Sequence, residues 1–183
     1  MFRRTAATAH ATQQADEQLM LACLPRLRRY ARALVGDRSG ADDLVQDTLE
    51  RAWEKIASWQ RSHYMRPWLF GIMHNLHVDQ RRKPGLELVE LNEAMDFPAE
   101  GMSADRSLGL DLEAALQRLP AEQREILLLV VLEDMRYEDI ATALCIPIGT
   151  VMSRLSRARE RLRKLMEGGK AAGAPATPLK VVK

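Results

Sequence analysis

The chain has 183 residues, 46% of them hydrophobic and 5% aromatic, and a formal net charge of +2. That length accommodates one domain or two small ones, the apolar fraction is enough for packed cores, and the near-neutral total gives no reason to expect general polyanion binding. Two cysteines far apart, Cys23 and Cys145, fit a reduced cytosolic protein better than a disulfide framework, and no apolar run approaches the roughly 18 residues of a membrane span.

Leu, Ala, Arg and Glu dominate, which favours helix throughout. The opening MFRRTAATAHATQQ resembles a transit peptide superficially and lacks the apolar core of a secretory signal; residues 1–15 are expected to be a disordered tail. Helical periodicity begins near Asp16, with Met20, Cys23, Leu24, Leu27, Tyr30, Ala31 and Leu34 on one face. Pro25 is expected to kink or restart this helix and Gly36 to end it. Ser39 and Asp42 suggest a capping box for a second helix, whose apolar stripe is Val45, Leu49, Ala52, Trp53 and Ile56. Its opposite side carries Asp43, Gln46, Asp47, Glu50 and Glu54. A polar loop spans Ser58 to Arg66. Pro67 suits the first position of a third helix, in which Leu69, Ile72, Met73 and Leu76 form a stripe ahead of Arg81, Arg82 and Lys83. Residues 16–83 therefore read as one compact helical unit.

Residues 84–107 contain Pro84, Gly85, Pro98 and Gly101, many acids and no sustained period, as expected of a flexible linker. A second unit, 108–167, opens with Leu112, Ala115, Leu116 and Leu119 at helical spacing, and Pro120 starts its next helix. Residues 168–183, rich in small residues, are expected to be a disordered tail.

The stretch Tyr137 to Leu165 reads as two short helices with a tight break. Tyr137, Ile140, Ala141 and Leu144 form the apolar face of the first, and Pro147 forbids continuous helix. Ile148, Val151, Leu155, Ala158 and Leu162 form the expected buried stripe of the second, leaving Thr150, Met152, Ser153, Arg154, Ser156, Arg157 and Arg159 outward. A helix-turn-helix lays such a second helix in the DNA major groove, where arginine pairs with guanine and serine bonds to several bases. A solvated basic helix, or one that binds acidic protein, is the plainer alternative.

The segments RLRRYARALVGDRSGADDLVQDTLERAWE, RPWLFGIMHNLHVDQRR and LPAEQREILLLVVLEDMRYEDIATALCIPIGTVMSRLSRARERL together resemble a bacterial extracytoplasmic-function (ECF) sigma factor of the sigma-70 family, in that family's order and spacing. The resemblance implies an all-α fold of two small domains, a region 2-like domain and a region 4-like helix-turn-helix. It implies a non-enzymatic, cytoplasmic transcription initiation factor of the stress-response kind, with no cofactor, metal, small-molecule substrate or membrane insertion. Its partners would be the clamp helices and flap of RNA polymerase core, promoter DNA and an anti-sigma factor. It assigns core binding to Asp43, Gln46, Asp47 and Glu50. Capture of the unwound −10 element falls to His63, Tyr64, Asn75, Asp79, Arg81 and Arg82. Reading of the −35 duplex falls to Thr150, Met152, Ser153, Ser156 and Arg157, with Arg154 and Arg159 on phosphates.

Departures from the family pattern include Cys145 where many members have a turn glycine, Arg136 at a position often held by a capping serine or threonine, and Met152 where relatives often carry a basic side chain. The loop before RPWL also lacks the glycine common in relatives. Three other readings compete. His74, His77 and Asp79 suggest a metal-dependent hydrolase, although no second ligand pair completes the site. A sigma-like adaptor would bind an anti-sigma factor without touching DNA. A conventional helix-turn-helix regulator leaves the acidic helix without a role.

Overall fold

The computed structural model describes residues 2–60, 64–82 and 104–172, with side chains at 13–60, 64–82 and 111–167. The elements are α1 (Phe2–Val35), α2 (Arg38–Lys55), a 3-10 turn (Ile56–Ser58), α3 (Met65–Arg82), α4 (Ala104–Gln117), α5 (Ala121–Val131), α6 (Tyr137–Ala143) and α7 (Ile148–Ala172). No strand occurs among the described residues, in keeping with the all-α reading.

Helix α1 starts at Phe2, well ahead of Asp16. Residues 2–15 hold neither Gly nor Pro and are rich in alanine, so helix propagates through them once nucleated. Pro25 stays inside α1 without ending it. Gly36, at φ +93, stops the helix and returns its N–H to the Arg32 carbonyl at 3.0 Å. The cap of α2 is Asp37, whose carboxylate accepts from the Gly40 N–H at 2.6 Å. The Ser39–Asp42 capping box is thereby corrected: Ser39 already lies inside the helix. At the other end, α4 begins at Ala104 rather than near Leu108, and α7 runs through Gly168 and Gly169 to Ala172. The expected linker otherwise falls outside the described residues.

In the first unit, Leu27, Tyr30 and Leu34 of α1 meet Leu44, Val45 and Ala52 of α2 and Leu69, Phe70 and Met73 of α3 in the core. Tyr30 and Phe70 pack edge to face at 4.9 Å. Trp68 packs against this core beside Trp59, as its neighbours' spacing suggests. Trp53, expected in the stripe of α2, is instead 46% exposed. The second unit is built around α5, whose Ile126, Leu127, Leu128 and Leu129 are all buried.

The two units dock on one another. Helix α3 lies against α6, and α1 against both α4 and α5, so that one apolar cluster runs from Leu27 and Tyr30 to Leu119, Ile126 and Leu129. Gly71 of α3 lets the backbones touch: a Cβ there would sit 2.8 Å from the Ala143 carbonyl oxygen of α6. Around these contacts lies a seam of buried polar groups. Glu133, fully buried, takes a hydrogen bond from Arg29 at 2.8 Å and faces Arg26 at 3.6 Å. Arg29 also donates to the Leu132 carbonyl. Glu125 takes His74 Nδ1 at 2.7 Å and a hydrogen bond from Tyr30. Gln117 reaches the Ala33 carbonyl at 3.1 Å.

Candidate nucleic-acid interface

The helix-turn-helix is built from α6 and α7. Arg136 occupies the N-cap of α6 without a side-chain cap bond, and its guanidinium turns instead to Asp139 at 3.0 and 3.2 Å. Ile140 and Leu144 are buried, with Tyr137 and Ala141 half-buried. Helix α6 closes in a paired-carbonyl motif: the Cys145 N–H donates to Thr142 O at 3.3 Å and the Ile146 N–H to Ala141 O at 3.0 Å. That motif places Cys145 at φ 52, the left-handed conformation that costs a non-glycine residue about 1–2 kcal/mol. Pro147 then offers its carbonyl to the N–H groups of Thr150 (2.8 Å) and Val151 (3.2 Å), opening α7.

On α7, Val151, Leu155 and Ala158 are buried and Leu162 is half-buried. Ile148, at the first position of α7, departs from the expected stripe and is 38% exposed. Met152, Ser156, Arg157 and Arg159 are exposed, while Thr150 and Ser153 are half-buried. The Ser153 hydroxyl donates to Thr150 O at 3.1 Å, leaving its oxygen lone pairs as acceptors. Arg154, expected on phosphate, is held by Glu122 of α5 at 2.6 Å and is only 27% exposed.

The first unit presents two further faces. Asn75, Asp79 and Arg82 fall at i, i+4 and i+7 of α3 and are all exposed. Arg81 is exposed on a different side, close enough to Arg124 and His77 to push both pKa values down, although burial lowers each more. Tyr64 stands open to solvent just before α3, and His63 lies outside the described residues. His74 and His77 are half-buried and turn toward α5, where His74 bonds Glu125 and His77 feels Glu125 and Arg124. Among the described residues no cluster of His, Cys, Asp and Glu is arranged to hold a metal.

On α2, Asp43, Gln46, Asp47 and Glu50 are exposed together. Gln46 donates to Glu50 at 2.9 Å, and Gln80 of α3 donates to Asp47 at 3.1 Å. Beside them, Met20, Leu21, Leu49 and Trp53 floor a groove rimmed by Glu17, Glu50 and Glu54. Trp53 and Leu21 were not among the expected site residues. The available signal was the seven-residue spacing from Gln46 to Trp53, which places both on one helix face.

Two family models match the chain: the sigma2 domain of PhyR over residues 20–74 and sigma-70 region 4 over 109–162. The ECF RNA polymerase sigma factor EcfG of Rhodopseudomonas palustris is 37% identical over 150 residues, covering 80% of this chain and 82% of that one. The ECF sigma factor SigE of Mycolicibacterium smegmatis is 37% identical over 145 residues, covering 75% of this chain and 56% of that one. The fold matches the sigma factor RpoE of Bartonella quintana, solved with the anti-sigma factor NepR, at TM-score 0.68 and 38% identity, covering 82% of this chain and 96% of that one. CnrH, solved with the cytosolic domain of CnrY, matches at TM-score 0.66 and 26% identity, covering 89% and 94%. With both region models placed in order on two helical units, and with a relative at this identity matched over most of both chains, the protein belongs to the ECF RNA polymerase sigma factors.

Proposed function

We propose that the chain acts by binding rather than by catalysis: it joins core RNA polymerase, directs it to a small set of promoters and assists their opening. The observation that carries this is the presence in one chain of two exposed surfaces of opposite chemistry. One is the carboxylate face of α2; the other is the Ser- and Arg-bearing face of α7. Acceptors at Asp43, Gln46, Asp47 and Glu50 suit basic helices of the core, and the neighbouring Trp53 adds an apolar anchor. Asn75, Asp79 and Arg82, with Tyr64 as a stacking platform, suit the unwound −10 strand. Thr150, Met152, Ser153, Ser156 and Arg157 suit the −35 duplex, with Arg159 on phosphate. Domains that hold two DNA elements together raise each other's effective concentration.

An anti-sigma factor is the expected restraint, as in the complexes of RpoE and CnrH. No helix among the described residues is long and apolar enough to cross a membrane, which is consistent with action in the bacterial cytoplasm.

The match of the first unit to the PhyR sigma2 domain favours a second reading, an adaptor that binds an anti-sigma factor and never touches DNA. Run-off transcription with purified core polymerase over genomic fragments separates the two. New start sites that require the protein establish the initiation factor. Core binding without transcripts from any fragment supports the adaptor, and loss of both removes the polymerase role.

A further inference from the structure

Ile148 and Met152 are 38% and 49% exposed, and they are the large apolar side chains exposed on α7 among the described residues. A single exposed hydrophobic side chain is ordinary. These two are four residues apart, so they sit one above the other on the helix surface. They also occupy the first two turns, the part of a recognition helix that meets base edges. Between them in sequence, Gly149 has open space where a Cβ would go, so no described residue crowds that position. Ser156 and Arg159 adjoin Met152 and give the patch a polar margin. The β-branched Ile148 supplies a stiff wall, and the unbranched Met152 a polarizable surface that adapts to what it meets.

The major groove displays mostly hydrogen-bonding groups. The apolar group it offers is the thymine 5-methyl. We propose that Ile148 and Met152 form a reader for thymine methyl groups within the −35 element, so that the protein selects thymine there by apolar contact while Ser153, Ser156 and Arg157 make the hydrogen bonds. This rests on the reading of α7 as the −35 helix.

The test uses the full chain assembled with core polymerase. The preferred −35 sequence is first selected from a randomised duplex. Each thymine in it is then replaced singly by uracil, which removes the methyl group and leaves the hydrogen-bonding edge intact. Binding is expected to weaken about fourfold at one or two thymines, the factor that burying one methylene-sized group yields. Met152→Ala or Ile148→Ala should abolish that sensitivity, and both positions are exposed enough for the variants to fold. A selected −35 element that binds equally well with uracil at every thymine, or that contains no thymine, overturns the methyl contact alone. Failure to select any −35 element overturns the promoter-reading role of α7, and the methyl contact with it.

Discussion

Gly71→Ala sets two effects of known sign against each other. Alanine favours helix over glycine by about 1 kcal/mol, so α3 by itself should be stabilised. The added Cβ would lie 2.8 Å from the Ala143 carbonyl oxygen, where ordinary contact begins near 3.4 Å. The obstacle is backbone in a helix, not the end of a flexible side chain, so α3 and α6 must move apart by about half an ångström or more. Overpacking of this kind costs about 1–3 kcal/mol, and the whole cost falls on the seam between the units. The variant should therefore keep its helix content while the docked state loses about 1–3 kcal/mol relative to the parted one. Small-angle scattering should show a larger radius of gyration, and hydrogen exchange should speed up in α6 more than in α2. An unchanged radius together with a raised Tm, as helix propensity alone would give, refutes the close approach of α3 and α6.

Arg29→Ala should weaken the docked state by about 1–2 kcal/mol: it leaves buried Glu133 with Arg26 at 3.6 Å, and the half-exposure of Arg29 discounts the full cost of breaking a buried pair; denaturant titration with an inter-unit fluorescence pair reads this. His77 is held below its ordinary value of 6.5, first by burial and then by Arg81, Arg124 and His74 against the opposing Glu125. The unfolded chain therefore binds its proton more readily, so stability from this group is present above about pH 6.5 and falls as the pH drops below it; His77→Gln should flatten that part of the stability profile, and an identical profile in the variant would remove His77 as its source. Arg157→Ala should weaken −35 binding by roughly 1–3 kcal/mol and relax base preference at one position; promoter discrimination equal to wild type excludes it from the base-reading set. Asp47→Ala should weaken core binding with unchanged circular dichroism, and a wild-type core affinity removes it from that surface.

The local features of the fold were legible because short-range chemistry decides them. Gly36 ends α1 since the chain there needs positive φ, and Pro147, which cannot continue a helix, stands at the break and opens α7. The left-handed position in the helix-turn-helix was also readable, although cysteine occupies it. Two local features differ from what spacing alone predicts. Asp37 and Ser39 are both good caps, and only the backbone shows which one precedes the first helical residue. Trp53 fits the apolar stripe of α2 by spacing, but it is 46% exposed in the groove it shares with Met20 and Leu21 of α1. What could not be read was the docking of the units. His74 and Glu125 are 51 residues apart, and Arg29 and Glu133 are 104 apart, and no helical period connects them. For the same reason the spacing of His74 and His77 suggests metal ligands, whereas the fold makes them part of the seam.

The two carboxylates of the seam also determine how the units can meet. An apolar face tolerates sliding, since one methyl contact replaces another at little cost. Glu125 and Glu133 allow no such slack: shifted by one helical turn, each would be shut away from water without Tyr30 and His74, or without Arg29 and Arg26, at a penalty of several kcal/mol. A seating shifted by one turn is thereby disfavoured against the one observed. When the units part, the same groups regain hydration that a wholly apolar seam could not offer. Such an interface favours one register, and the hydration its carboxylates would regain on parting lowers the cost of separating the units.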